Sequence, residues 1–241
     1  MLPRRVQVEL LDGLPATDPT AEQSRRDLQR VHRVMGTRAL LVRTLRQLQP
    51  TPSNTVRVLE LGAGDGSLML GVARELAPEW PAVDLTLLDR VALVDAATIT
   101  EYARRRWTAR PKEMDVLDWA RAAAESSADN PPHWDLVIAN LFLHHFDVPE
   151  LTVLLAAIAA RTDALIACEP RRGWRALAGS HLIGGLGVNA VTRTDAVLSV
   201  HAGFRDRELT VLWPRPADWS LQENPSGPFL HCFRAMRRRT H

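Results

Sequence analysis

The chain has 241 residues, 46% of them hydrophobic and 24% charged, and its formal net charge is +2. That length suits one large α/β domain with a small addition, and the balance suits a globular fold that buries a core without disulfides or metal. So low a net charge argues against a nucleic-acid track, and no apolar run reaches the roughly 20 residues of a membrane span. Lys112 is the one lysine, and the arginine clusters at 104–106 and 237–239 read as solvated surface. The first residues lack the long apolar segment of a signal peptide, so a cytoplasmic location is expected. Cys168 and Cys232 sit in apolar or strand-like surroundings and read as buried free thiols of a reducing compartment.

Residues 1–17 are mixed and turn-rich. In TDPTAEQSRRDLQRVHRVMG, Asp18 suits a helix cap, Pro19 the first turn and Gly36 the stop, with Leu28, Val31, Val34 and Met35 on one face. A second helix is expected from Thr37 to Leu48, ended by QPTPSN. These helices make an N-terminal appendage over residues 1–50, and residues 51–241 form the main domain. From Val56 strands and helices alternate. The expected strands are VRVLEL, DLTLLD (Asp84 to Asp89), a weak one from Thr108 to Met114, DLVIAN (Asp135 to Asn140) and ALIACE (Ala164 to Glu169). The expected helices between them are Ser67 to Leu76, Val91 to Arg106, Leu117 to Ala124 and Glu150 to Ala160, with a loop at SSADNPP. TDAVLSVHAGF then reads as a helix closed by Gly203, followed by two more strands, RELTVLW and FLHCFRAM. Strands rich in Val, Ile and Leu separated by helices imply an α/β fold. It is a doubly wound, mostly parallel seven-stranded sheet covered on both faces.

The loop ELGAGDGS follows the first strand of this unit and opens a helix. Ligands of such sheets sit beyond the carboxyl ends of the strands at the switch point, where glycines let backbone approach closely. A dinucleotide fingerprint would place its third glycine at position 67, which is Ser67; the third glycine here is Gly66. The pattern Glu60, Gly62, Gly64, Gly66, followed by Asp89 at the end of the next strand, resembles the class I S-adenosylmethionine-dependent methyltransferases. The resemblance runs from about Val56 to the C-terminus. It implies S-adenosylmethionine as cofactor, with S-adenosylhomocysteine as product. Glu60 would hold the methionyl amino group, Gly62, Ala63 and Gly64 would pass beneath the cofactor, and Asp89, with Arg90 beside it, would take the ribose hydroxyls. Asp115 and the Val116 amide would meet the adenine, although Asp115 equally suits a cap for the following helix.

IANLFLHHF resembles the segment after the fourth strand in the small-molecule branch of that family. Backbone at Asn140 and Leu141 would flank the sulfonium. His144 or His145 either acts as general base on a phenol or enol or serves the fold by capping or packing. Asn140 is followed by Leu-Phe-Leu and not Pro-Pro-aromatic, which disfavours methylation of an amide or base nitrogen. Glu169, Arg172 and Trp174 lie at the same sheet edge and either line an acceptor pocket or are surface. His32 and Met35 of the first helix are further acceptor-contact candidates. No metal is expected, because the two histidines are adjacent and no Cys/His cluster has ligand spacing.

NAVTRTDAVLSVHAGF and LTVLWP resemble bacterial methyltransferases associated with aromatic polyketide pathways. The reading is a monomeric or homodimeric enzyme of natural product biosynthesis that methylates a small molecule at oxygen, without nucleic-acid or membrane partners. Its rivals are an RNA or protein methyltransferase, a cofactor-binding but non-catalytic partner protein and an NAD-dependent dehydrogenase.

Overall fold

The computed structural model describes residues 2–15, 17–48, 55–125 and 132–238. Its centre is a seven-stranded sheet in the order β3-β2-β1-β4-β5-β7-β6. The strands are β1 (Val56–Leu61), β2 (Val83–Asp89), β3 (Trp107–Glu113), β4 (Leu136–Asn140), β5 (Ala164–Pro170), β6 (Trp219–Ser226) and β7 (Leu230–Arg237). β1 to β5 are parallel, while β7 runs antiparallel to β5 and pairs with β6. Chain order reverses between β1 and β4, so their carboxyl ends form the switch point.

Alternate residues of each strand enter different cores. Val56 and Val58 pack with α3 (Ser67–Leu76) and Tyr102 of α4 (Ala96–Ala103). Leu59 and Leu61 pack with α5 (Val116–Glu125) and α6 (Val148–Arg161). With both faces covered, the central strands have no polar side and read as continuous apolar runs. Asp18 caps α1 (Pro19–Met35) by accepting from Thr20 N at 2.7 Å, and Gly36 closes it in the left-handed region. α2 (Thr37–Arg46) places Leu41, Val42 and Leu45 in the same core as α3. The boundary expected at residue 50 therefore separates segments that share one core.

Two expectations need correction. RELTVLW is not a strand: Glu208–Leu212 is the short helix α9. The Glu223 carboxylate accepts from Leu209 N (3.1 Å) and Thr210 N (2.7 Å), so a tertiary contact holds the first turn of a β-prone segment as helix. The sixth strand is WSLQENPS instead, an edge strand, where Pro225 is tolerated. The helix expected from Val91 begins only at Ala96, because Asp95 caps it through Thr98 N at 2.7 Å. The breaks at QPTPSN and SSADNPP fall almost wholly outside the described residues.

The segment before α1 crosses the carboxyl edge of the sheet. Arg4 donates to Ala202 O (2.8 Å) at the end of α8 (Ala190–Ala202), and to Phe146 O (2.9 Å). Leu10 N and Leu11 N donate to the Asp195 carboxylate at 2.7 and 3.0 Å. Asp12 then pairs with Arg90, just past β2, at 3.2 Å. α1 makes a second crossing, from α8, where Asn189 N donates to the buried Asp27 at 2.8 Å, to the glycine loop, where Gln29 donates to Asp65 at 2.6 Å.

Candidate functional site

After Leu61 the chain turns through Gly62, Gly64 and Gly66, with φ of 68°, 57° and 73°. Side chains rarely adopt this left-handed conformation. At Gly62 there is also no room: a Cβ would stand 2.2 Å from the Phe142 ring. Gly62 N and Ala63 N both donate to Leu88 O, at 2.9 and 3.1 Å, which ties the loop to the end of β2. The Tyr102 hydroxyl donates to Gly66 O at 2.6 Å, and Asp65 accepts from Ser67 N at 3.0 Å.

Asp89 accepts from Gly64 N (2.8 Å) and Val91 N (3.0 Å), one bond on each oxygen. A carboxylate has about four acceptor positions, so each oxygen keeps one for a ligand hydroxyl. Glu60 is 2% exposed, and its Oε2 makes no hydrogen bond. Burial pushes its carboxyl well above the usual range, and the charges of Asp89 and Asp65 push the same way. Across the switch point, the Oδ1 of buried Asn140 also makes no hydrogen bond. Two orphaned acceptors beside a glycine loop fit a ligand that brings donors, such as an ammonium group. Asp115 caps α5 through Leu117 N at 2.7 Å, and the buried Val116 follows it.

Beyond β4, Leu141 holds φ of 50°, and its N–H donates to Cys168 O at 2.8 Å. Leu143–His145 then form a 3₁₀ turn clamped by Glu169. Glu169 Oε1 accepts from Phe142 N (3.2 Å) and Leu143 N (3.0 Å), and Oε2 from His144 N (3.3 Å) and His144 Nδ1 (2.9 Å). Four donors saturate this fully buried carboxylate. On its other side His144 faces Glu9, with Nε2 3.5 Å from Oε1. Burial opposes charge on His144, but Glu169 and Glu9 outweigh it and lift the imidazole to about 9. Burial, then the neighbouring His144, lower His145, whose Nδ1 lies 3.6 Å from Asp12 Oδ2.

The site residues expected from sequence thus separate. Glu60, Gly62, Ala63, Gly64, Asp89, Asn140 and Leu141 gather at the switch point. His144, expected either as a base or as a capping or packing residue, is held between Glu169 and Glu9. Glu169 is corrected from an acceptor contact to the clamp itself. Arg172 is likewise internal: its 2%-exposed side chain is committed to Leu2 O, Gly203 O and Glu208. Arg90 ties down the N-terminal crossing through Asp12. Trp174 is 72% exposed and lines a cavity of about 320 Å³ with Arg171, Arg175 and His231, apart from the glycine loop. Met35 lines another of about 310 Å³, between the α1–α2 junction and the β6–β7 turn. At His32, burial lowers the imidazole to about 4, against the charge of Asp65 and with that of His144. Sequence reasoning missed Glu9, Asp12, Gln29 and Phe142, which carry no local signal because their partners lie far away in the chain.

A family model described as lysine methyltransferase matches residues 34–176, more than half of the chain. Solved structures share the fold at low identity. The plantazolicin methyltransferase BpumL in complex with SAH has a TM-score of 0.60 and 16% identity over 92% of each chain. The plantazolicin methyltransferase BamL, in complex with a triazolic desmethylPZN analog and SAH, has a TM-score of 0.60 and 12% identity over 95% of this chain and 93% of that one. An O-methyltransferase family protein from Burkholderia thailandensis has a TM-score of 0.50 and 16% identity over 89% of this chain and 62% of that one. No curated protein matches the chain. The expected Rossmann-like methyltransferase sheet is the one observed. Among the described residues, no helix is long and apolar enough to cross a membrane.

Proposed function

We propose that this chain, which belongs to the lysine methyltransferase family, transfers a methyl group from S-adenosylmethionine to an oxygen of a small aromatic or polyketide-type acceptor. S-adenosylmethionine supplies a methyl group already activated on its sulfonium. Gly62, Ala63 and Gly64 pass beneath the methionyl part, and Glu60 receives its ammonium as a carboxylate. Asp89 accepts the ribose hydroxyls with the positions its backbone bonds leave open. Asp115 and Val116 meet the adenine, and the backbone at Asn140 and Leu141 flanks the reacting carbon. The acceptor's hydroxyl faces the corner formed by His144 and His145, and His32 borders the same space.

The observation that favours a small acceptor is the double crossing of the sheet edge. The N-terminal segment is tied to Asp195 and Arg90, and α1 is tied to Asp65 and Asn189. Such a cover excludes water and holds an acceptor in line with the methyl group. The family description favours a second reading, in which a protein lysine is the acceptor. Labelled S-adenosylmethionine offered to hydroxylated aromatics and to lysine peptides separates the two. Label in a methoxy product supports the proposal, and label in peptide ε-amino groups alone overturns it. Cofactor binding with no transfer to either set marks a non-catalytic partner protein. A co-crystal with S-adenosylhomocysteine must place the ribose on Asp89.

A further inference from the structure

Glu9, His144 and His145 meet at the corner where the N-terminal crossing passes over the 3₁₀ turn. Each offers one ligand atom, and these atoms all lie within 4.8 Å of one another. His144 Nε2 is buried and makes no hydrogen bond. It stands 3.5 Å from Glu9 Oε1, past ordinary hydrogen-bond reach. Two ligands at about 2.1 Å from a tetrahedral ion stand roughly 3.4 Å apart, which is that spacing. The opposite nitrogen of His144 is bonded to Glu169 at 2.9 Å, the carboxylate–histidine arrangement that orients a metal-bound imidazole. Asp12 adds a third carboxylate, 3.6 Å from His145. Arg90 pairs with Asp12, but Glu9 and Glu169 flank His144 on both sides, and their charge favours a dication there.

We propose that Glu9, His144 and His145 hold a divalent metal ion of the zinc type. Two imidazoles and one carboxylate suit zinc or cobalt better than magnesium or calcium, and three protein ligands leave a coordination position open. Adjacent histidines lack ligand spacing on their own; the third ligand comes from the far end of the chain. The site stands on its own geometry and does not depend on the methyl-transfer reading.

The test uses the full chain, stripped with a chelator, then titrated with cobalt(II) by visible absorption and with zinc(II) by calorimetry. The expected result is one ion per chain, without thiolate charge-transfer bands. Glu9→Gln and His145→Gln should each weaken binding at least tenfold while leaving the thermal unfolding of the metal-free protein cooperative. Absence of saturable binding overturns the proposal, as do thiolate bands from Cys168 or Cys232, or wild-type affinity in Glu9→Gln. S-adenosylhomocysteine binding is measured on the same samples. Its presence without metal binding defeats only the metal site; metal binding without it defeats only the methyl-transfer reading.

Discussion

The glycine loop after β1 and the histidine corner after β4 share one edge of the sheet but are assembled differently. The loop is held by the next two elements of the sheet unit, with Gly64 bonded to Asp89 at the end of β2 and Gly66 to Tyr102 of α4. The corner is held by Glu169 of β5, at a similar separation in the chain, and in addition by Glu9 and Arg4, which arrive from the far N-terminal crossing. The loop also leaves acceptors open on Glu60, Asp89 and Asn140, whereas Glu169 is saturated. One half of the edge is therefore built to receive a ligand, and in the other half the carboxylate secures the fold.

Substitutions sharpen this contrast. Glu169→Ala strips a buried imidazole and three backbone amides of their acceptor and should cost about 3–5 kcal/mol of stability in denaturant unfolding. A loss below about 1 kcal/mol would mean the clamp is not structural. Asp89→Ala should instead act on the ligand. Two charge-assisted bonds are lost, so S-adenosylhomocysteine affinity should fall by on the order of 100-fold, about 3 kcal/mol, with stability changed much less. Equal effects on binding from both variants would erase the distinction between the two halves.

Glu60 supplies a smaller, pH-dependent test. Its raised pKa favours the protonated carboxyl in the free protein, while a bound ammonium favours the carboxylate. Binding should therefore release a proton, and affinity should rise with pH, by up to about tenfold per unit, until the raised pKa is passed. Calorimetry in buffers of different ionisation enthalpy reads that proton, and Glu60→Gln should abolish it. The smallest effect is expected at Gln29→Ala, on an exposed side chain bonded to Asp65. It should change stability by about 1 kcal/mol or less yet raise hydrogen exchange in α1.

Much of the fold was legible because its signals are local. The Asp18 cap, the Gly36 stop and the apolar runs of β1, β4 and β5 each act within a few residues. RELTVLW misled because Glu223 of the following strand β6 holds its helical turn. WSLQENPS was passed over because an edge strand needs no apolar face. The glycine-loop half of the candidate site was legible for a local reason: one loop carries three glycines between Glu60 and the strand that ends in Asp89. Glu169 and Arg172 stand at the right edge of the sheet, but sequence position does not tell whether a charged side chain turns outward or is buried with a partner.

By itself the sequence determined the parallel sheet, its switch point and the glycine loop with its acids, since strand periodicity and backbone conformation are set by neighbouring residues. Only the tertiary structure decided that α2 belongs to the core, that the N-terminal segment closes the sheet edge, and that the two adjacent histidines differ. One is gripped between Glu169 and Glu9 and the other stands beside Asp12. Those outcomes depend on which distant charges are brought together in a buried space, where a carboxylate a few ångströms away outweighs the intrinsic chemistry of the imidazole.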